Sequence, residues 1–168
     1  MNHASRLILG TLALTVLATV AQAQTNNASI QATATVQQPI NVTGDAALAF
    51  GNVFPGVAKT VAPTDAAAGH FTVTGQASAN VNLTFTLPGS LSDGSGNTLP
   101  IATWQAIHNN TNVTAGDTSF TPSAGLTSTT LDATTGKRYL FIGATVSPAS
   151  NQAAGAYSGT VTMTVVYF

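Results

Sequence analysis

Residues 157–168 read Y-S-G-T-V-T-M-T-V-V-Y-F. Val161, Met163, Val165 and Tyr167 occupy every second position, and Thr160, Thr162 and Thr164 lie between them. Successive side chains of a β-strand point to opposite faces, so this spacing gives one apolar face and one hydroxyl-lined face. Its β-branched and aromatic content suits a half-buried, pleated surface. The stretch has no charge, proline or glycine after Gly159. Natural edge strands are usually protected by such features against pairing with other chains. Residues 160–168 are therefore expected either to lie inside their own sheet or to form an edge that another strand covers.

The same alternation occurs near the other end. Ile30, Ala32, Ala34 and Val36 alternate with Gln31, Thr33, Thr35 and Gln37, and the pattern runs into Pro39-Ile40. Residues 24–36 thus form either an N-terminal extension or the first strand of a domain spanning 37–168. Residues 41–45 are expected to form a turn. Pro55-Gly56 marks another turn, because proline presets φ and glycine accepts positive φ.

Residues 57–61 are expected to form a short strand ended by Pro63, and Val81, Leu83, Phe85 and Leu87 a half-buried one closed by Pro88-Gly89. Residues 99–107, including Trp104, and the weakly patterned 119–136 supply further strands. Residues 139–146 are apolar apart from Gly143 and Thr145 and suit a central, buried strand. No helical period of 3.6 residues occurs after residue 23. Seven to nine short strands separated by Gly, Pro and Asn turns indicate an all-β, antiparallel β-sandwich in one domain.

Residues 1–23 are expected to be a signal peptide. Asn2, His3 and Arg6 precede an apolar run over residues 7–20, followed by a small-x-small site at Ala21-Gln22-Ala23. Export to the periplasm, and then to the cell surface or an extracellular fibre, follows as the expected localisation. After residue 23 no second apolar segment could serve as a helical membrane span. Three cationic side chains (Lys59, Lys137, Arg138) stand against five aspartates and no glutamate, which offers no basic surface for nucleic acid. The chain has no cysteine, so stability has to come from packing and sheet hydrogen bonds.

Catalytic chemistry has little support. His70 and His108 are the base candidates, and neither lies in a nucleophile motif. The five aspartates fall where turn formers bond their own backbone. Asp93-Gly94-Ser95-Gly96-Asn97 is only a partial match to a calcium loop, lacking its later acidic ligands, and suits a hairpin tip. Neither a catalytic nor a metal site is expected, nor any cofactor.

The C-terminal pattern resembles that of pilins assembled by the chaperone–usher pathway, with Tyr167 penultimate and Gly155 fourteenth from the end. The mature chain also resembles the secreted, pilin-like proteins grouped as domain of unknown function 4402. The matching pieces are Ala32-Thr33-Ala34-Thr35-Val36, Leu48-Ala49-Phe50-Gly51, Leu87-Pro88-Gly89, Gly143-Ala144-Thr145, and Gly155-Ala156-Tyr157-Ser158-Gly159-Thr160. The resemblance implies an immunoglobulin-like, Greek-key sandwich that receives a strand from another molecule. It further implies a structural subunit of a bacterial surface fibre (a fimbrial shaft pilin) serving adhesion or biofilm formation. The implied partners are neighbouring identical subunits, a periplasmic chaperone and an outer-membrane usher.

On that resemblance Gly155, Tyr157, Val161, Met163, Val165, Tyr167 and Phe168 form the partner-binding edge, and Ile30, Ala32, Ala34 and Val36 the donor strand. Strand addition of this kind takes affinity from backbone hydrogen bonds and specificity from alternate side chains. Many chaperone–usher pilins carry a disulfide, which this cysteine-free chain lacks. The alternative is a self-complete, monomeric secreted β-sandwich with a binding or matrix role.

Overall fold

A computed structural model describes residues 25–114, 118–122 and 127–168. The expected signal peptide lies outside the described residues. Among these residues ten strands follow in order: β1 (Asn41–Ala46), β2 (Lys59–Val61), β3 (Gly69–Thr74), β4 (Asn80–Thr86), β5 (Ser90–Ser92), β6 (Thr98–Asn109), β7 (Thr118–Phe120), β8 (Thr127–Thr130), β9 (Lys137–Val146) and β10 (Thr162–Tyr167). All pairings are antiparallel. Two sheets pack face to face as a β-sandwich within residues 36–168.

The larger sheet has seven strands in the order β1-β3-β9-β6-β5, with β2 also on β9 and β7 also on β6. Strand β9 is its spine, as its apolar run suggests. Leu140, Ile142, Ala144 and Val146 are buried on one face. β3 pairs residues 137–142 of β9, and β2 takes over at residues 144–146. Gly143 sits at the handover, where a Cβ would collide with the Val61 carbonyl oxygen. Only glycine permits that approach. β6 shifts register against β9 between Ala102 and Gln105. Thr103 takes a left-handed φ of 52° there, a bulge geometry.

The smaller sheet has three strands in the order β10-β4-β8. It packs over one half of the larger sheet, around Val73, Val81, Leu83, Leu131, Leu140 and Met163. The other half carries Leu99, Ile101, Trp104, Ala106, Ile142, Ala144 and Val146. Besides Phe85 and Leu87, its cover comes from two limbs outside the strands, with Leu48, Phe50 and Val53 on one and Tyr157 and Val161 on the other.

The expected turn at residues 41–45 is instead strand β1. Asn, Gly and Asp are poor strand formers, but pairing with β3 from Asn41↔Thr74 to Ala46↔His70 supplies the ladder that propensity does not. β1 is therefore the first strand of the domain. Residues 30–36 carry no strand, with Ile30 96% and Val36 94% exposed. The final strand is also shorter than its alternation suggests. Residues 157–161 precede it, held to β5 by reciprocal backbone bonds between Ser92 and Ser158 (2.8 and 2.9 Å).

Candidate functional site

β10 bonds β4 through Thr162↔Thr86 to Tyr167↔Val81 and has no partner on its other side among the described strands. β1, with only β3 beside it, likewise leaves one edge of the larger sheet open. Tyr167, at the end of β10, bonds the residues that flank β1 and β3. Its hydroxyl donates to the Gln38 carbonyl at 2.6 Å and accepts from the Gln76 amide at 2.7 Å. Ile40, Val42, Val165 and Tyr167 all pack against the core cluster around Leu83.

Away from Tyr167, a cavity of about 1150 Å³ lies between Gly44 and Ala46 of β1 and Thr160 and Val161 before β10. One wall is the limb at residues 47–55, and the opposite wall is the limb at 152–159. The floor includes Leu99, Ile101, Trp104 and Ile142, which belong to the core. Small-molecule pockets usually span about 300–1,000 Å³. This groove exceeds that range; floored by core side chains and reaching Thr160 and Val161 just before β10, it suits an extended polypeptide.

The expected edge residues separate into three places. Gly155, Tyr157 and Val161 line the cavity. Met163, Val165 and Tyr167 point into the core cluster instead. Phe168 is 67% exposed, and Val166 is exposed with it. Tyr157 is fixed by Gln152, whose side-chain amide reaches the Tyr157 hydroxyl at 2.7 Å, while that hydroxyl donates to the Ala153 carbonyl at 2.8 Å. A Cβ on Gly155 would meet only ordinary contacts near Asp93, so nothing within the chain demands glycine there. At Gly159 a Cβ would come within 2.8 Å of Leu91. Sequence reasoning missed the opposite wall, Leu48 to Pro55, because no alternation marks it.

His70 comes to rest beside a carboxylate, with its Nδ1 3.3 Å from Asp45 Oδ2. Its ring stacks on Phe141 at 4.4 Å and lies near Tyr139. Burial lowers its pKa, and the neighbouring Asp45 charge offsets this only in part. Thr43 and Thr72 donate their hydroxyls to Asp45, not to the imidazole. His70 Nε2 is buried without a partner among the described residues. Among the described residues no nucleophile lies in line with that nitrogen, the arrangement that base-activated hydrolysis uses. Among the described residues no three metal-ligating side chains converge.

Asp93 closes the expected hairpin tip, its carboxylate accepting from the amides of Ser95 (2.8 Å) and Asn97 (3.1 Å) and the side chain of Asn97 (2.6 Å). These bonds, the Asn97 side chain first, hold its pKa below the ordinary carboxylate value.

With this geometry in place, comparison with known proteins gives a family. The model described as Domain of unknown function (DUF4402) matches residues 40–167. The chain belongs to the DUF4402 family. No curated protein matches it. The DUF4402 match begins at the residue before β1, so residues 30–36 lie outside it, including the Ala32–Val36 stretch that contributed to the resemblance.

Proposed function

We propose that this DUF4402 protein is a structural subunit of a bacterial surface fibre, assembled by donation of an extended strand from one copy to the next. The observation that carries the reading is the edge of β10 left without a partner among the described strands, together with a groove of about 1150 Å³ floored by Leu99, Ile101, Trp104 and Ile142 that the residues just before β10 help to line. An added strand would pair with β10 and, running on past Val161, would reach the half of the core that loops now cover. Its backbone groups would complete the ladder, and alternate side chains would enter the groove. Residues 30–36 supply a segment with the required alternation outside any strand. Ile30 and Val36 would each contribute about 1.5–3 kcal/mol on full burial, and the alanines much less.

On this reading the protein has no catalytic role and is exported through its signal peptide. In the periplasm a chaperone and then an outer-membrane usher handle the open subunit, and the fibre serves adhesion or biofilm formation. The test is deletion of residues 24–36 from the mature chain. Ordered multimers should disappear while the domain still folds and is captured by its chaperone. Unchanged fibres after the deletion would refute the proposal.

A second reading is supported by β1, which gives the domain a first strand without residues 30–36. It is a self-complete, monomeric secreted domain with a binding or matrix role. It predicts that the intact mature chain stays monomeric at every concentration by sedimentation.

A further inference from the structure

The outer face of the smaller sheet belongs neither to the groove nor to the core. Its strands β4, β8 and β10 carry no charged residue. Val81, Leu83 and Met163 turn inward to the core, so the residues between them face outward. Pairing sets these in rows across the sheet: Thr162 beside Thr86, Thr164 beside Thr84, and Val166 beside Asn82 and Ser128. Phe168 comes one step later, its amide donating to the Asn80 carbonyl at 3.4 Å, and Thr130 lies on the other side of Asn80. At the rim Arg138 donates to the Thr130 carbonyl, and the Asp132 charge acts against its own.

A solvated strand face lined by hydroxyls is ordinary, but two features at its Asn80 end are not. First, both asparagine amides are held in place. The Ser128 hydroxyl donates to Asn82 Oδ1 and the Thr130 hydroxyl to Asn80 Oδ1, each at 2.7 Å. With each oxygen engaged, the Nδ2 donors of both are left without a protein partner among the described residues. The two residues stand about 6.7 Å apart along β4, too far to serve one functional group. Second, Val166 is 51% and Phe168 67% exposed on the adjoining strand end.

We infer that this face binds a neutral polysaccharide. Asn80 and Asn82 donate to sugar hydroxyls, and Phe168 and Val166 lie against the C–H face of a ring. A pyranose has both aspects, a rim of hydroxyls and an apolar face, and the site offers a complement to each. A charged ligand finds no countercharge on the three strands. A protein partner finds only two exposed apolar side chains, too few for the apolar centre of an interface. Because Ser128 and Thr130 already hold the amides, binding costs little further side-chain freedom. The threonine rows continue the face along the strands, which suits a polymer better than a single sugar. The site is complete in one subunit, and its repetition along a fibre would add avidity.

The test is affinity electrophoresis of the mature chain, isolated as monomer, in native gels holding dextran, galactomannan or mixed-linkage β-glucan, with anionic alginate for comparison. At least one neutral polymer should retard the chain and alginate should not. Asn80→Ala with Asn82→Ala should weaken binding about tenfold or more, and Phe168→Ala about threefold or more. Ser128→Ala with Thr130→Ala keeps both amides but frees their orientation, and should weaken binding about threefold. Asn151→Ala, on an exposed turn outside this face, should change nothing. Phe168→Ala alters one exposed side chain, so it stays informative even where a double variant folds poorly. No retardation by any neutral polymer, equal retardation by alginate, or full affinity in the Asn80/Asn82 variant would overturn the inference. Multimers that disappear in that variant, with no retardation by any polymer, would assign the face to a second copy and overturn it too.

Discussion

Substituting Gly75 with alanine places a methyl group 2.5 Å from the Tyr167 hydroxyl and 2.9 Å from Leu131 Cδ1. The leucine methyl is the end of a flexible side chain and can move. The hydroxyl cannot move without releasing the Gln76 amide at 2.7 Å and the Gln38 carbonyl at 2.6 Å. Each hydrogen bond contributes about 0.5–1.5 kcal/mol net. Gln38 and Gln76 are both exposed, so water can replace the lost partners and the lower half of that range applies. Tyr167→Phe should therefore cost about 1–2 kcal/mol. Gly75→Ala should cost about 2–3 kcal/mol, since it loses the same bonds and adds overpacking.

The two substitutions then share one cost. Once the hydroxyl is removed, the closest remaining ring atom, Cζ of residue 167, is 3.4 Å from the new methyl. The double variant should be about 1–2 kcal/mol more stable than the sum of the single effects implies. Urea denaturation of all four proteins closes the cycle. Additivity within about 0.5 kcal/mol would show that the Tyr167 hydroxyl is not held against Gly75 by its bonds to Gln38 and Gln76, and the reasoning would fail.

Three further predictions concern other parts of the chain. Gly143→Ala drives a Cβ into the Val61 carbonyl and the backbone of Ala62 and Pro63. It should cost at least about 3 kcal/mol, lowering Tm by roughly 10 °C in a calorimetric scan. His70 is held below its ordinary value of 6.5, chiefly by burial, so the unfolded chain binds its proton more readily. Its contribution to stability is full above about pH 6.5 and is lost as pH falls from there toward the lowered native value. Urea midpoints measured from pH 7.5 to 5 should decline, and His70→Gln should flatten the decline. Ile30→Asp alters a side chain that is 96% exposed. Domain Tm should stay within about 1 °C, since exposed substitutions change stability by less than about 0.5 kcal/mol, while multimers seen by sedimentation should fall sharply.

How much could be read in advance differs from element to element. β4, β9 and β10 each have local alternation or a continuous apolar run, and their strand character needs nothing distant. β1 is invisible by that criterion. Asn41-Val42-Thr43-Gly44-Asp45-Ala46 looks like a turn, and becomes a strand because the β3 edge offers it five residues of backbone, His70 to Thr74. The candidate site was half legible for the same reason. Gly155, Tyr157 and Val161, expected on a partner-binding edge, line the cavity, whereas Leu48, Phe50 and Trp104 become part of the groove only when sheets stack. Met163 and Val165 shared the apolar stripe of Val161, but they sit under the three-stranded sheet and Val161 lies beyond it.

The sequence by itself determined that the chain is an all-β sandwich with two alternating segments near its ends, because a period of two is a property of neighbouring residues. Only the tertiary structure decided which strands are edges. Strand order depends on pairings such as β1 with β3 and β10 with β4, between segments far apart in the chain. The groove comes from a mismatch in coverage: three strands pack on seven, and the half of the core that limbs outside the strands cover has no counterpart in any local stretch. The alternation at residues 157–168 specified a strand, which 162–167 form, and the packing of the sheets left it without a partner on one side among the described strands.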